Sequence, residues 1–365
     1  MEVRSEILTM ALRAPFRIAR EHPEDVATSV IVEVMWGDHH GLGEAAPGAY
    51  YGETAETVMA VLPILAAAVE EAGEPPLAIA GARRWLMTAD AAMESAIGRN
   101  WAAKAALDIA LHDLLARRAS IPVYELLGTS AVAPPTDFSI GIDDPADVAR
   151  RAARAASFPA LKIKVGGPAD VETLRRVREA YDGPIRVDAN TGWQPEGAAA
   201  MLPELVALGV ELIEQPFPAH RLDQLAWLQE RTELPIMADE SVETTDDLNA
   251  LVGVVAAVNV KLMKCGGVGP ALRMLERARE LGFRSMIGCM VETSVGMAAS
   301  ASVAALAEWV DLDGNLLLAR DPFRGLELGS DKRWQLTGGP GLGVTRIRSA
   351  PVDGSVDGSV DGIDP

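Results

Sequence analysis

Cysteine, cationic charge and long apolar runs are what this 365-residue chain has least of. The two cysteines, Cys265 and Cys289, are too few for a disulfide framework or a zinc site, and both read as buried thiols at strand ends. Thirty-three Lys and Arg face 52 Asp and Glu, a net charge of −19, which argues against nucleic acid as a partner because phosphate contacts need a basic surface. No stretch approaches the roughly 20 uninterrupted apolar residues of a membrane helix. The opening MEVRSEILTM lacks the basic-then-apolar layout of a signal peptide, so a cytoplasmic protein with no membrane partner is the expectation.

What is present falls into two textures. Residues 1–130 read as an α+β module: β-like runs at Val3 to Leu12 and Thr28 to Val34, then alanine-rich helical patterns over Thr54 to Ala72 and Met93 to Arg118. After Leu127-Gly128 and Pro134-Pro135, short apolar strands alternate with helix-length segments. The polar residues ending successive apolar runs are Lys164, Asp188, Glu214, Asp239, Lys261, Gly288 and Asp311, with gaps of 24, 26, 25, 22, 27 and 23 residues. With a first strand near Phe138 to Ile142 this makes eight βα units, so the fold class expected is α/β, a (β/α)8-type barrel over 131–325 capped by the N-terminal module. Residues 326–350 read as a segment returning to the cap, and 351–365, with its VDGS repeats, as a disordered acidic tail.

In such a barrel, functional groups sit at the C-terminal strand ends. Asp188, Glu214 and Asp239 end three successive strands, and three crowded anions are relieved by a hard divalent cation, Mg2+ being the usual choice where ligand positions stay open for substrate. Any one of them could instead be a helix cap. Lys162 and Lys164 share a strand face, so in a barrel both point inward. Two neighbouring ammonium groups depress each other toward the range of a general base, although a solvated edge pair is the blander reading. Lys261 lies four strands around the rim, across from Lys164, whereas Lys264 is placed in a loop and outside the chemistry. Asp311 and Asp313 form a second same-face pair, suited to a substrate ammonium, or alternatively a cap and a turn aspartate before Gly314.

The chain resembles the muconate-lactonizing subgroup of the enolase superfamily, and most closely its dipeptide epimerases. The likeness runs through PFRIAR (Pro15 to Arg20), GLGEAAP, LKIKVG, RVDANTGW, IEQP, MADES, VNVKLMKCGG, MVETSVG and DLDG. It implies Mg2+ on Asp188, Glu214 and Asp239, an acid/base pair in Lys164 and Lys261, electrostatic help from Lys162, and the α-ammonium of a dipeptide on Asp311 and Asp313. A 1,1-proton transfer through an enediolate would then invert the α-carbon of the C-terminal residue, with L-Ala-L-Glu as leading substrate. Cycloisomerases, o-succinylbenzoate synthases and N-acylamino acid racemases share the metal and lysines but need no ammonium site. The resemblance also implies that loops near Ala19 to Thr28 and Pro47 to Glu53 cover the barrel mouth, that Arg20 meets an acidic substrate side chain, and that Glu292 orients Lys261 or the metal shell; by sequence alone Arg20 reads equally as an exposed surface arginine. Self-association into a homo-oligomer and a role in cell-wall peptide metabolism are further implications of the resemblance alone.

Overall fold

The computed structural model describes residues 1–20, 22–76, 78–336 and 339–347; the acidic tail proposed for 351–365 lies outside them. The N-terminal module is an antiparallel sheet of β1 (Glu2–Phe16), β2 (Glu24–Trp36) and β3 (His39–Ala45), backed by α1 (Ala55–Glu71), α2 (Ile79–Ala96) and α3 (Trp101–Arg118). A Cβ on Gly43 would stand 1.9 Å from the Ala106 carbonyl oxygen and one on Gly41 2.1 Å from that of Ala110, so these glycines let β3 lie directly on α3. The helix read from Met93 to Arg118 is therefore two helices. The chain turns at Arg99 and Asn100, both left-handed with φ of 55° and 54°, while apolar spacing runs on across the break and hides it from a periodicity argument.

From Ala102 to Ala116 every residue of α3 is buried, because sheet and barrel cover opposite sides of it. Its polar groups are spent on docking. The Asp108 carboxylate accepts from the amides of Val268 (2.6 Å) and Gly269 (3.3 Å), capping the barrel helix Val268–Glu280 from across the interface. Asp113 accepts from the amides of Leu42 and Leu342 and from Arg117, and Gly341 accepts from Val123, so the C-terminal segment is tied to the module. Glu44, the last residue but one of β3, accepts from the amides of Thr293 and Gly296 at the start of the helix Ser294–Ala301.

Eight parallel strands follow in sequence order: β4 (Phe138–Ile140), β5 (Leu161–Lys164), β6 (Ile185–Asp188), β7 (Val210–Glu214), β8 (Ile236–Ala238), β9 (Ala257–Lys261), β10 (Arg284–Gly288) and β11 (Trp309–Asp311). The ring closes through a parallel bridge between Thr136 and Val310 and the Asp137 amide on the Val310 carbonyl at 3.0 Å. Register explains the near-constant spacing read in the sequence. Lys164 pairs with Asp188, Asp188 with Glu214, Lys261 with Gly288 and Gly288 with Asp311, so the run-ending residues stand side by side on one rim. Below them Leu212, Met237, Ala257, Met286 and Trp309 form an apolar plug in place of a pore. No described helix is long and apolar enough to cross a membrane. Of the two free thiols, Cys289 follows β10, but Cys265 lies in a short helical turn, Leu262–Cys265, and not at a strand end.

Candidate active site

Alternation along β5 sends Lys162 and Lys164 inward and buries Ile163 in the outer core. The next three strands deliver Asp188 and Glu214 at their last residues and Asp239 one residue past β8. These three buried carboxylates each offer an oxygen within 4.8 Å of the others. Glu214 Oε2 is buried 2.7 Å from Lys162 Nζ, yet accepts no hydrogen bond among the described residues. An all-oxygen set with such an orphaned atom fits a hard divalent cation.

The lysines surround this triad. Lys164 donates to Asp188 Oδ2 at 2.7 Å and, across the barrel, Lys261 donates to Asp239 Oδ2 at 2.8 Å. Lys162, fully buried, lies within 2.7 Å of both Glu214 and Asp311. Burial alone would lower the Lys162 ammonium, but Asp311, Glu214 and Asp188 outweigh it and hold it well above the ordinary lysine range. The depression expected of Lys162 is thus overridden by the acids around it. Burial pushes Glu214 up to about 7, aided by Asp188, whereas in Asp239 Lys261 and Lys264 overcome burial and hold the group well below the carboxylate range.

Lys264 departs from its expected place. It is buried in the turn after β9, where its ammonium donates to both the carbonyl and Oδ1 of Asp239 and to the carbonyls of Val242 (3.1 Å) and Asn259 (3.2 Å).

Asp311 ends β11 and Asp313 follows two residues later; both are buried on the cavity wall. Ser139 bridges them, its amide donating to Asp313 Oδ2 at 2.5 Å and its hydroxyl to Asp311 Oδ1 at 3.3 Å. Burial and the charge of Asp311 push Asp313 up to about 7, while Lys162 overcomes burial and holds Asp311 far below the usual range. The cavity, about 320 Å3, is bounded by Lys164, Lys261, Asp239 and this pair, and on its cap side by Arg20, Glu24, Val26 and Tyr50. Both predicted cap loops therefore reach it.

Arg20 forms an ion pair with buried Glu240, donates to the Asn190 carbonyl at 3.3 Å and stacks on Tyr50 at 4.2 Å. Glu240, two residues past β8 in MADES, is a functional residue that the sequence pattern signals only indirectly: a second buried acid beside Asp239 demands a cation partner. Asn259, two residues before Lys261 and hence on its face, donates to Glu214 Oε1 at 2.8 Å; that alternation was legible in VNVK.

Glu292 forms no hydrogen bond or ion pair with Lys261 among the described residues, although the charge of Lys261 acts on it at longer range. It accepts from the Met290 amide at 2.8 Å, and burial together with Glu44 pushes it up to about 8. A folded value above the unfolded one means that the native state binds the extra proton, so this group's penalty is absent below about pH 4.5 and grows as pH rises toward 8. Glu292→Gln is therefore expected to hold its melting temperature better than the wild type between pH 6 and 9; parallel melting curves across that range would refute this.

A barrel rim with three clustered carboxylates, flanked on opposite sides by lysines and faced by the N-terminal module, is an arrangement suited to holding a cation and moving protons. The second-domain family model "Enolase C-terminal domain-like" matches residues 144–349, and "Mandelate racemase / muconate lactonizing enzyme, N-terminal domain" matches residues 2–128. The chain belongs to the mandelate racemase/muconate lactonizing enzyme family, within the enolase superfamily. It is 38% identical over 344 residues to an L-Ala-D/L-Glu epimerase of Bacteroides thetaiotaomicron, covering 91% of this chain and 87% of that one. It is 38% identical over 337 residues to a hydrophobic dipeptide epimerase of Roseobacter litoralis, covering 89% and 93%. Among solved structures, a dipeptide epimerase of Enterococcus faecalis complexed with Mg and L-Leu-L-Tyr superposes with a TM-score of 0.83 at 32% identity, covering 94% and 99%.

Proposed function

We propose that this chain is a Mg2+-dependent dipeptide epimerase that inverts the α-carbon of the C-terminal residue, L-Ala-L-Glu being the leading substrate. The observation that carries this is the shared cavity: two lysines on opposite sides of a carboxylate triad, and a buried aspartate pair on the same wall. Asp188, Glu214 and Asp239 would hold the cation, which when bound supplies positive charge to the substrate carboxylate as negative charge develops there. The substrate ammonium docks between Asp311 and Asp313, fixing the α-carbon between the two lysines. One of Lys164 and Lys261, as the neutral amine, withdraws the α-proton, and the other, as the ammonium, delivers a proton to the opposite face. Lys162, between Glu214 and Asp311, offers charge to the same region. Arg20, on the cap side of the cavity, is the cation within reach of an acidic substrate side chain, shared with Glu240.

The relatives' activities support this reading and leave the preferred side chains to experiment, since they span acidic, hydrophobic and cationic dipeptides. The test is incubation with Mg2+ and an L,L-dipeptide mixture in D2O. Each inverted α-carbon acquires deuterium, so a +1 mass shift in Ala-Glu and its relatives is expected; no label in any dipeptide would overturn the reading. The same reading places the enzyme in the cytoplasm as a homo-oligomer acting on cell-wall peptides, supported by the family resemblance and tested for assembly by sedimentation.

A further inference from the structure

Each acid of the triad has one oxygen tied down by a donor other than Lys162, Lys164 and Lys261. Asp188 Oδ1 accepts from the Asn190 amide at 2.9 Å, Glu214 Oε1 from Asn259 Nδ2 at 2.8 Å, and Asp239 Oδ1 from Lys264. The remaining oxygens point to Lys164, Lys162 and Lys261. Asp188 Oδ2 lies 2.7 Å from Lys164, with the Asn190 side chain at 3.3 Å; Glu214 Oε2 lies 2.7 Å from Lys162, and Asp239 Oδ2 2.8 Å from Lys261. Turning a tied oxygen toward a cation would strip its donor of a partner. For Lys264, which is 1% exposed, that means loosening a buried ammonium.

We propose that Lys264, with Asn259 and the Asn190 amide, sets the metal selectivity of this site by restricting each carboxylate to a single ligand oxygen. The inference rests on the triad being the metal site. Three single oxygens suit Mg2+, which binds few carboxylates and keeps other octahedral positions for water or substrate. Ca2+ takes six to eight oxygens and favours carboxylates that can chelate with both. Lys264 acts here through Asp239 as a positioning residue: it holds the carbonyl and Oδ1 of the same residue, and the Val242 and Asn259 carbonyls anchor it to the loop and to β9.

The experiment is calorimetric titration of chelator-stripped full-length protein with Mg2+ alone and with Ca2+ alone, for the wild type, Lys264→Met and Asn259→Ala. The wild type should favour Mg2+, and Lys264→Met should lower the Mg2+/Ca2+ affinity ratio by about tenfold or more, the scale on which partners of metal ligands act. A loss of both affinities in equal proportion would make Lys264 a mere support of the loop and overturn the proposal. Tighter Mg2+ binding would make it only a repelling charge, which overturns it too. Should Lys264→Met not fold, Asn259→Ala frees Glu214 Oε1 independently, and an unchanged ratio there refutes the idea. A wild type that binds neither ion would instead remove the metal-site reading itself.

Discussion

Lys164→Ala is expected to abolish inversion of the dipeptide while sparing proton exchange on one stereoisomer. The two lysines approach from strands four places apart in an eight-stranded ring, Lys164 on the Asp188 side and Lys261 on the Asp239 side. Each can therefore reach one face of a carbon held between them. With one lysine gone, the survivor as its neutral amine still takes up the proton on its own face, becomes the ammonium, exchanges with solvent and returns a proton without inversion. Inversion should fall by the roughly 10²–10⁴-fold that a positioned acid or base supplies. Lys261→Ala should behave as the mirror image, exchanging the other stereoisomer. Both side chains line the cavity and neither belongs to the apolar core, so the folded fraction should hold. Chiral chromatography of products combined with deuterium counting in D2O checks this. Exchange of the same stereoisomer by both variants, or full inversion by either, would dismiss a two-base arrangement.

The barrel and its rim were legible because strand length and helix length fix the distance between successive strand ends, and parallel register then sets those ends beside one another. Lys164, Asp188 and Glu214 are register partners for that reason. Less legible was anything decided by contact between distant segments. The break between α2 and α3 is set by two left-handed residues inside an unbroken apolar pattern, and β3 owes its place to glycines that touch a helix more than 60 residues away. Lys264, three residues past the end of a strand, reads from sequence as a loop residue. Its burial comes from the Asp239 to Val242 loop folding over it, which no local pattern encodes. Arg20 was found by position, but its pairing with Glu240 joins residues 220 apart.

Asp313→Asn is the variant expected to separate a dipeptide epimerase from the other branches of the superfamily. Asn keeps the shape and can still accept from the Ser139 amide, so the wall should persist. What is lost is one of two buried anions facing the substrate ammonium. Truncating such a charge pair costs about 2–5 kcal/mol, or roughly 30-fold to a few thousand-fold in kcat/KM. A cycloisomerase or N-acylamino acid racemase, whose substrate brings no ammonium, would lose little. The same residue predicts a pH signature. In the free enzyme burial and Asp311 raise Asp313 to about 7, so below that pH it is protonated and cannot meet an ammonium as an anion. The wild-type kcat/KM should therefore rise with pH through about 7 and level off above it. In Asp313→Asn that acid limb should disappear, because the group that generates it no longer titrates. An unaltered limb in the variant would assign the ionisation to another residue, and an unaltered kcat/KM for Ala-Glu would take the ammonium away from this pair.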